Sequence, residues 1–317
     1  MQETLAQVLA AIEPYRGSGK VADYIPALAC VDPNKFGIAF AGADGIVHGA
    51  GDCDEAFSLQ SVSKVFTLAL ALERVQADLW QKVGREPSGS AFNSIVQLES
   101  EGGKPRNPLI NAGAIATTGQ LVGNGTADAV IADLLSFLRT QAQDDRIGVD
   151  EVVAASESAT GSRNRSLAWF MKTYGIIDGD VNTVLDAYFR QCAVAMSCRQ
   201  LARAGLFLAF DGRDPVTGEE AVIWHNARRI NSVMLLCGHY DNSGEFAYRI
   251  GLPGKSGVGG GILAIAPGHG AIAVWSPGLN QFGTSAVGAR ALEKLIDLTG
   301  WSVFAPPGGP GGREAPE

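Results

Sequence analysis

Apolar positions recur with two different periods along this chain, and the period changes twice. Residues 2–13 place Leu5, Val8, Leu9 and Ile12 on one face at helical spacing. KFGIAFAGADGIVHGAG then sets two short apolar runs on either side of Asp44-Gly45. That predicts a β-hairpin, because glycine accepts the positive φ of a tight turn. At Ser61-Val62-Ser63-Lys64 a helix begins, with Val65, Leu68, Ala69, Leu72 and Val75 at helical spacing. The chain then reads mainly as helix to about residue 240, through TADAVIADLLSFLRTQAQ, SLAWFMKTYG, VNTVLDAYFRQC, SCRQLARAGLFLAF and NARRINSVMLLCG. Turn-rich loops such as REPSGSAFNS and EGGKPRNPLINAGA separate these segments. After residue 245 strands return as EFAYRIGL, GGGILAIAP and GAIAVWSP, and VGARALEKLIDLTG predicts a closing helix. The tail PPGGPGGREAPE is too rich in Pro and Gly to pack and is expected to be disordered.

Strands at both ends with helices between them predict one antiparallel sheet built from both ends of the chain and flanked by the terminal helices. A helical domain is inserted between its strands. The expected division is 1–60 with 245–305 as the sheet domain, 61–244 as the helical domain and 306–317 as the tail. A cleft between the two layers is where a ligand is expected.

Composition narrows the function. The 317 residues are 46% hydrophobic and 18% charged, ample for a sizeable core. Net charge is −8 with no basic block, which argues against nucleic acid and anionic membranes as partners. The longest apolar run, VFTLALAL, is too short to cross a bilayer. The first residues lack the basic n-region of a signal peptide. Five cysteines (Cys30, Cys53, Cys192, Cys198, Cys237) show no CxxC pairing and read as reduced, mostly buried and structural, hence a cytoplasmic protein. The four histidines are scattered, so a structural or catalytic zinc site is not expected.

SVSK is the first chemical signal. Positions three apart share a helix face, so Ser61 and Lys64 can meet. A serine hydroxyl is a weak nucleophile until a base takes its proton. A buried lysine serves as that base when desolvation lowers its pKa. SxxK alone is a short pattern, equally read as a lysine snorkelling from a half-buried helix. Lys255-Ser256-Gly257, placed at the start of a late strand, strengthens the catalytic reading. It resembles the KTG or KSG element that pairs with SxxK in penicillin-binding proteins and serine β-lactamases.

Eight further stretches carry a more specific resemblance: GKVADYIPALA, FSLQSVSK, VGREPSGSAFNS, KPRNPLINAGAI, SESATGSRN, VLDAYFRQC, CGHYDNSGEFAYRIGLP and KSGVGGGI. In their order and spacing, from about residue 20 to 278, they resemble the bacterial-type glutaminase family. The resemblance implies hydrolysis of L-glutamine to L-glutamate and ammonia on a β-lactamase-like α/β fold, without cofactor or metal, in a homodimer or homotetramer. It implies that Ser61 is the nucleophile, Lys64 its base, Tyr240 a proton shuttle and Tyr24 a further hydroxyl lining the pocket. Asn111, Glu157, Asn164, Tyr188 and Val258 match the family's substrate contacts, with Ser61 and Tyr240 also touching substrate. The backbone amides of Ser61 and Val258 would form the oxyanion hole.

The residues themselves support a glutamine site at one point. An α-ammonium needs an anionic partner and Glu157 supplies one, whereas the α-carboxylate needs donors, which Asn111, Asn164 and Tyr188 supply. A penicillin or a peptide ending in D-alanine usually carries no free α-ammonium, so Glu157 would serve little purpose there. Taken singly, each Asn or Glu reads as a turn or cap residue and each Tyr as core. Two other readings remain: a non-catalytic glutamine sensor, and an amidase for asparagine. One methylene separates the two amides, worth only ~1–3 kcal/mol. Lys255 is either an electrostatic partner of Ser61 or a structural ion. His239 is placed at the pocket rim beside Tyr240.

Overall fold

The computed structural model describes residues 1–89 and 94–305. The tail 306–317 and part of the REPSGSAFNS loop lie outside them.

The expected hairpin forms from β1 (Gly37–Gly42) and β2 (Val47–Gly51), paired antiparallel with Ala41 opposite Val47. Gly45 takes φ +75°, and the Asp44 carboxylate accepts the Ile46 N–H to close the turn. Two short strands, β3 (Phe57–Ser58) and β4 (Gly148–Val149), come next, followed by β5 (Val194–Met196). The chain ends its strands with β6 (Gly254–Ser256), β7 (Gly261–Ala266) and β8 (Gly270–Trp275). The main sheet has the order β2-β1-β8-β7-β6, every pairing antiparallel, so both ends of the chain build it.

Period-2 alternation separates the sheet's faces. Ile38, Phe40, Ile262, Ala264, Ile272 and Val274 pack on Leu5, Val8 and Ile12 of the N-terminal helix and on Val287, Leu292 and Leu295 of the helix Ala286–Thr299. Ala39, Ala41, Leu263, Ile265, Ala271 and Ala273 face the other way and join the core of the intervening helices. That inner face is rich in alanine, and a Cβ on Gly205, just past the helix Cys198–Ala204, would stand 2.8 Å from Leu263 Cδ1. Small residues here let helix and sheet approach closely.

Four features depart from expectation. EFAYRIGL is not a strand: Ser243–Arg249 is helical. Phe246 and Ile250, four apart, are buried together while Tyr248 points to solvent, so the helical period wins over the alternation. The KSG element lies at the end of β6 rather than at its start, with Gly257 already leaving the strand. A second sheet, β3-β5-β4, draws β4 and β5 from the region read as helical, and all three strands are too short to show a period. Asn111, read as part of a loop, opens the buried helix Asn111–Val122. Among the described residues no single helix is long and apolar enough to cross a membrane.

Candidate active site

β3 delivers the chain to a one-turn 3₁₀ segment, Gln60–Val62, which runs straight into the helix Ser63–Arg74. Ser61 therefore sits in the tight turn before the α-helix, and Lys64 is in the helix's first turn. Gln60 is held at φ +50°, a left-handed conformation rare for a residue with a side chain. Tyr240 has the same signature at φ +55°. Such strain persists only where surrounding contacts enforce it, and it clusters at active sites.

The KSG segment lies directly against this turn. A Cβ on Gly257 would stand 2.5 Å from the Leu59 carbonyl oxygen and 3.2 Å from the Ser61 nitrogen. A Cβ on Gly259 would stand 2.5 Å from the Ser58 oxygen. The glycines of KSGVGG are thus needed for backbone to meet backbone beside Ser61.

Lys64 is 1% exposed. Its ammonium donates to Asn111 Oδ1 at 2.7 Å and reaches the Leu109 carbonyl at 3.4 Å. Burial, only partly opposed by Cys192 and Glu157, lowers its pKa from 10.5 to about 8. A fraction of this amine is neutral near pH 7.5, as a base must be. Lys255 is fully buried too, donating to the carbonyls of Gly238 (2.9 Å) and Ser256 (2.6 Å). Its Nζ lies 4.2 Å from the centroid of the Tyr240 ring. Burial first, and then the Lys64 charge, pull its pKa well below the ordinary lysine value. Lys255 faces Tyr240 and makes no ion pair in the described structure, which removes the structural-ion reading. Burial holds the Tyr240 phenol protonated, and a hydrogen bond with Ser61 works against that effect.

Above these groups opens a cavity of about 240 Å³, the size for one small molecule. Tyr24, Ser61, Asn111, Glu157, Asn164, Tyr188 and Val258 line it, gathered from segments far apart in the sequence. Tyr24 stands at the mouth, 55% exposed. Glu157 is buried on the helix Glu151–Thr160; desolvation raises its pKa, while Gln60 and Lys64 oppose the rise. Asn111 is committed on both ends: its Oδ1 accepts from Lys64 and its Nδ2 donates to Asn164 Oδ1 at 3.0 Å. The Asn164 amide keeps its own two N–H groups as donors.

Pattern reading missed Gln60, Arg163 and Cys192, which also line the cavity. Cys192 was signalled by its place four residues after Tyr188 in one predicted helix, since i and i+4 share a face. Read from the sequence as structural, it also lines the cavity. The other correction is His239, which is at no rim. It is fully buried, stacked on Phe246 at 3.5 Å, and held neutral by burial and the nearby Lys255 charge. A larger open depression of about 950 Å³ lies behind the small sheet, away from Ser61. Its charged side chains already pair among themselves, as in Arg146–Asp144, Arg199–Asp54 and Arg203–Asp214.

The architecture is that of the β-lactamase-like hydrolases. Comparison with known proteins takes this further. The family profile described as Glutaminase matches residues 19–304. The chain is 59% identical over 304 residues to the glutaminase of Rhizobium rhizogenes, covering 96% of this chain and 98% of that one. It has the same identity and coverage with the thermolabile glutaminase of Rhizobium etli. Among solved structures, a probable glutaminase, ybaS, superposes with a TM-score of 0.89 at 39% identity, covering 96% of this chain and 99% of that one. A structure of Mglu in its glutamate form gives 0.90 at 38% identity, over 96% and 69% of the two chains. The chain belongs to the glutaminase family. It is an amidohydrolase that converts glutamine to glutamate.

Proposed function

We propose that glutamine hydrolysis runs through Ser61, with Lys64 as its base. The observation that carries this is the buried Lys64 amine, brought to about 8 one helical turn from a serine that lines a cavity of amino-acid size. Neutral Lys64 takes the Ser61 proton as Oγ bonds to the side-chain amide carbon. The carbonyl π-electrons move onto oxygen, which the N–H groups of Ser61 and Val258 receive. The C–N bond then breaks, and Tyr240 passes a proton to the departing nitrogen, which leaves as ammonia. Water attacks the γ-glutamyl ester, giving a proton back through the same groups, and glutamate leaves with Ser61 restored. Lys255, over the Tyr240 ring, favours negative charge on that phenol while it is short of a proton. Tyr24 closes the mouth.

The site draws Ser61 to Tyr240 from the proposed helical domain, 61–244. Tyr24, Lys255 and Val258 come from the sheet domain, 1–60 with 245–305.

In this reading Glu157 holds the α-ammonium of L-glutamine. Glu157→Gln is expected to lower kcat/KM about 10²-fold, mostly through KM, because a buried charge loses its partner. Steady-state ammonia release measures this; an unchanged KM would take Glu157 out of the ammonium site.

The finer physiology belongs to the same proposal: a cytoplasmic homodimer or homotetramer. Five unbridged cysteines, four of them buried, support a reducing compartment. Light scattering of the purified protein and fractionation of expressing cells test the two points. A monomeric mass, or activity outside the cytoplasm, would reject the corresponding one.

A further inference from the structure

Cys192 closes the helix Val181–Cys192, one turn beyond Tyr188. Positions four apart share a helix face, so the thiol and the phenol rise from the same face. Each acts on the other: Cys192 raises the Tyr188 pKa and Tyr188 works to lower that of Cys192, the sense expected when the phenol O–H is directed at sulfur. The cysteine is 3% exposed and Tyr188 2%, yet both line the substrate cavity. The thiol's place is fixed from its backbone. The Cys192 carbonyl accepts from Ser58 Oγ at 2.9 Å, and Ser58 Oγ accepts from Gln60 Nε2 at 3.0 Å. Burial pushes the thiol up to about 12, so it stays S–H and does not compete with Ser61 as a nucleophile.

A phenol has one proton to give. We propose that Cys192 is a positioning residue of the substrate site: its sulfur takes the Tyr188 O–H, and the phenol oxygen thereby faces the cavity as an acceptor for the substrate's α-ammonium. This rests on the placement of the ammonium at Glu157. It reverses the donor role that sequence alone suggested for Tyr188, and it leaves the α-carboxylate to the Asn164 amide and the remaining Asn111 N–H. Glu157 and Tyr188 line the same cavity, and after burial and Cys192 the Glu157 charge raises the Tyr188 pKa further. The Lys64 ammonium lies 6.0 Å from the centroid of the Tyr188 ring, so the phenol bridges the ammonium end and the reacting end of the cavity.

The test compares competitive inhibition by L-glutamate with that by glutarate, which lacks the ammonium, in wild type, Cys192→Ala, Cys192→Ser and Tyr188→Phe. Cys192→Ala and Tyr188→Phe are expected to weaken L-glutamate about 3–10-fold, the range of one hydrogen bond. Both should leave glutarate within about 2-fold. Cys192→Ser, which keeps an acceptor, should restore most of the loss. The double variant Cys192→Ala/Tyr188→Phe should bind L-glutamate no more weakly than Tyr188→Phe alone, because the two groups act as one. Equal weakening of glutamate and glutarate would place Tyr188 on the carboxylate and overturn the proposal. So would additive effects, or a lowered melting temperature with both inhibition constants unchanged. Should Cys192→Ala fail to fold, Tyr188→Phe and Cys192→Ser still separate the outcomes. The reading of Ser61 fails by a different experiment, the trapping of its ester, so the two cannot be confused.

Discussion

Ser61→Ala is expected to reduce glutamine turnover by about 10⁴-fold or more, the scale on which removal of a nucleophile acts when the other groups depend on it. Binding of L-glutamate should survive within a few-fold, because Glu157, Asn164 and Tyr188 remain in place around the cavity. The variant should also fold as well as wild type, since among the described residues no Ser61 side-chain hydrogen bond secures the helix Ser63–Arg74, and Ser63 Oγ closes the turn on the Gln60 carbonyl at 2.7 Å. Two measurements check this: ammonia release, and acid quenching during turnover followed by peptide mass spectrometry. Wild type should carry a γ-glutamyl ester on the Ser61 peptide and the variant none. Near-normal turnover by Ser61→Ala, or an ester on another residue, would sink the nucleophile assignment.

The elements legible in the sequence were those with enough length to show a period. The terminal helix, the Asp44-Gly45 hairpin and VNTVLDAYFRQC stand where the pattern puts them. EFAYRIGL failed because eight residues allow both periods, and only the sheet it packs on decides that Phe246 and Ile250 share a face. β3 and β5 failed because two or three residues carry no period at all, although they aim the turn at Ser61. The site residues were visible through motif and family resemblance rather than through physics. The physical content came from burial: nothing in the letters SVSK says that Lys64 is 1% exposed, or that a second lysine, Lys255, lies within reach of its charge. Two buried lysines with no carboxylate in salt-bridge contact among the described residues are costly to charge, and Asn111, the backbone carbonyls and the Tyr240 ring make the arrangement tolerable.

That cost makes the second large effect predictable in sign. Lys64→Met should lower kcat by about 10²–10⁴-fold, the span of general-base help. In wild type, kcat should rise as pH passes through about 8, where the Lys64 amine sheds its proton, and the variant's residual activity should lack this rise. Stability carries an independent signature. The folded pKa is depressed from 10.5 to about 8, so between those values the unfolded chain binds more protons than the native one. Stability contributed by this group therefore increases with pH across that window, and the full penalty is present below about 8. The shift corresponds to about 3 kcal/mol. Urea titrations at pH 7 and pH 11 should show wild type gaining roughly that much relative to Lys64→Met. Lys255 is common to both proteins, so its burial penalty cancels, while the part of its shift that the Lys64 charge imposes is lost in the variant and adds to the wild type's gain with pH. Net stability at a single pH is a poorer guide, because the methionine also strands Asn111 Oδ1, which costs ~1–3 kcal/mol. A wild-type pH–rate profile flat through 8, together with parallel stability curves for the two proteins, would mean that Lys64 keeps its proton throughout and that another group activates Ser61.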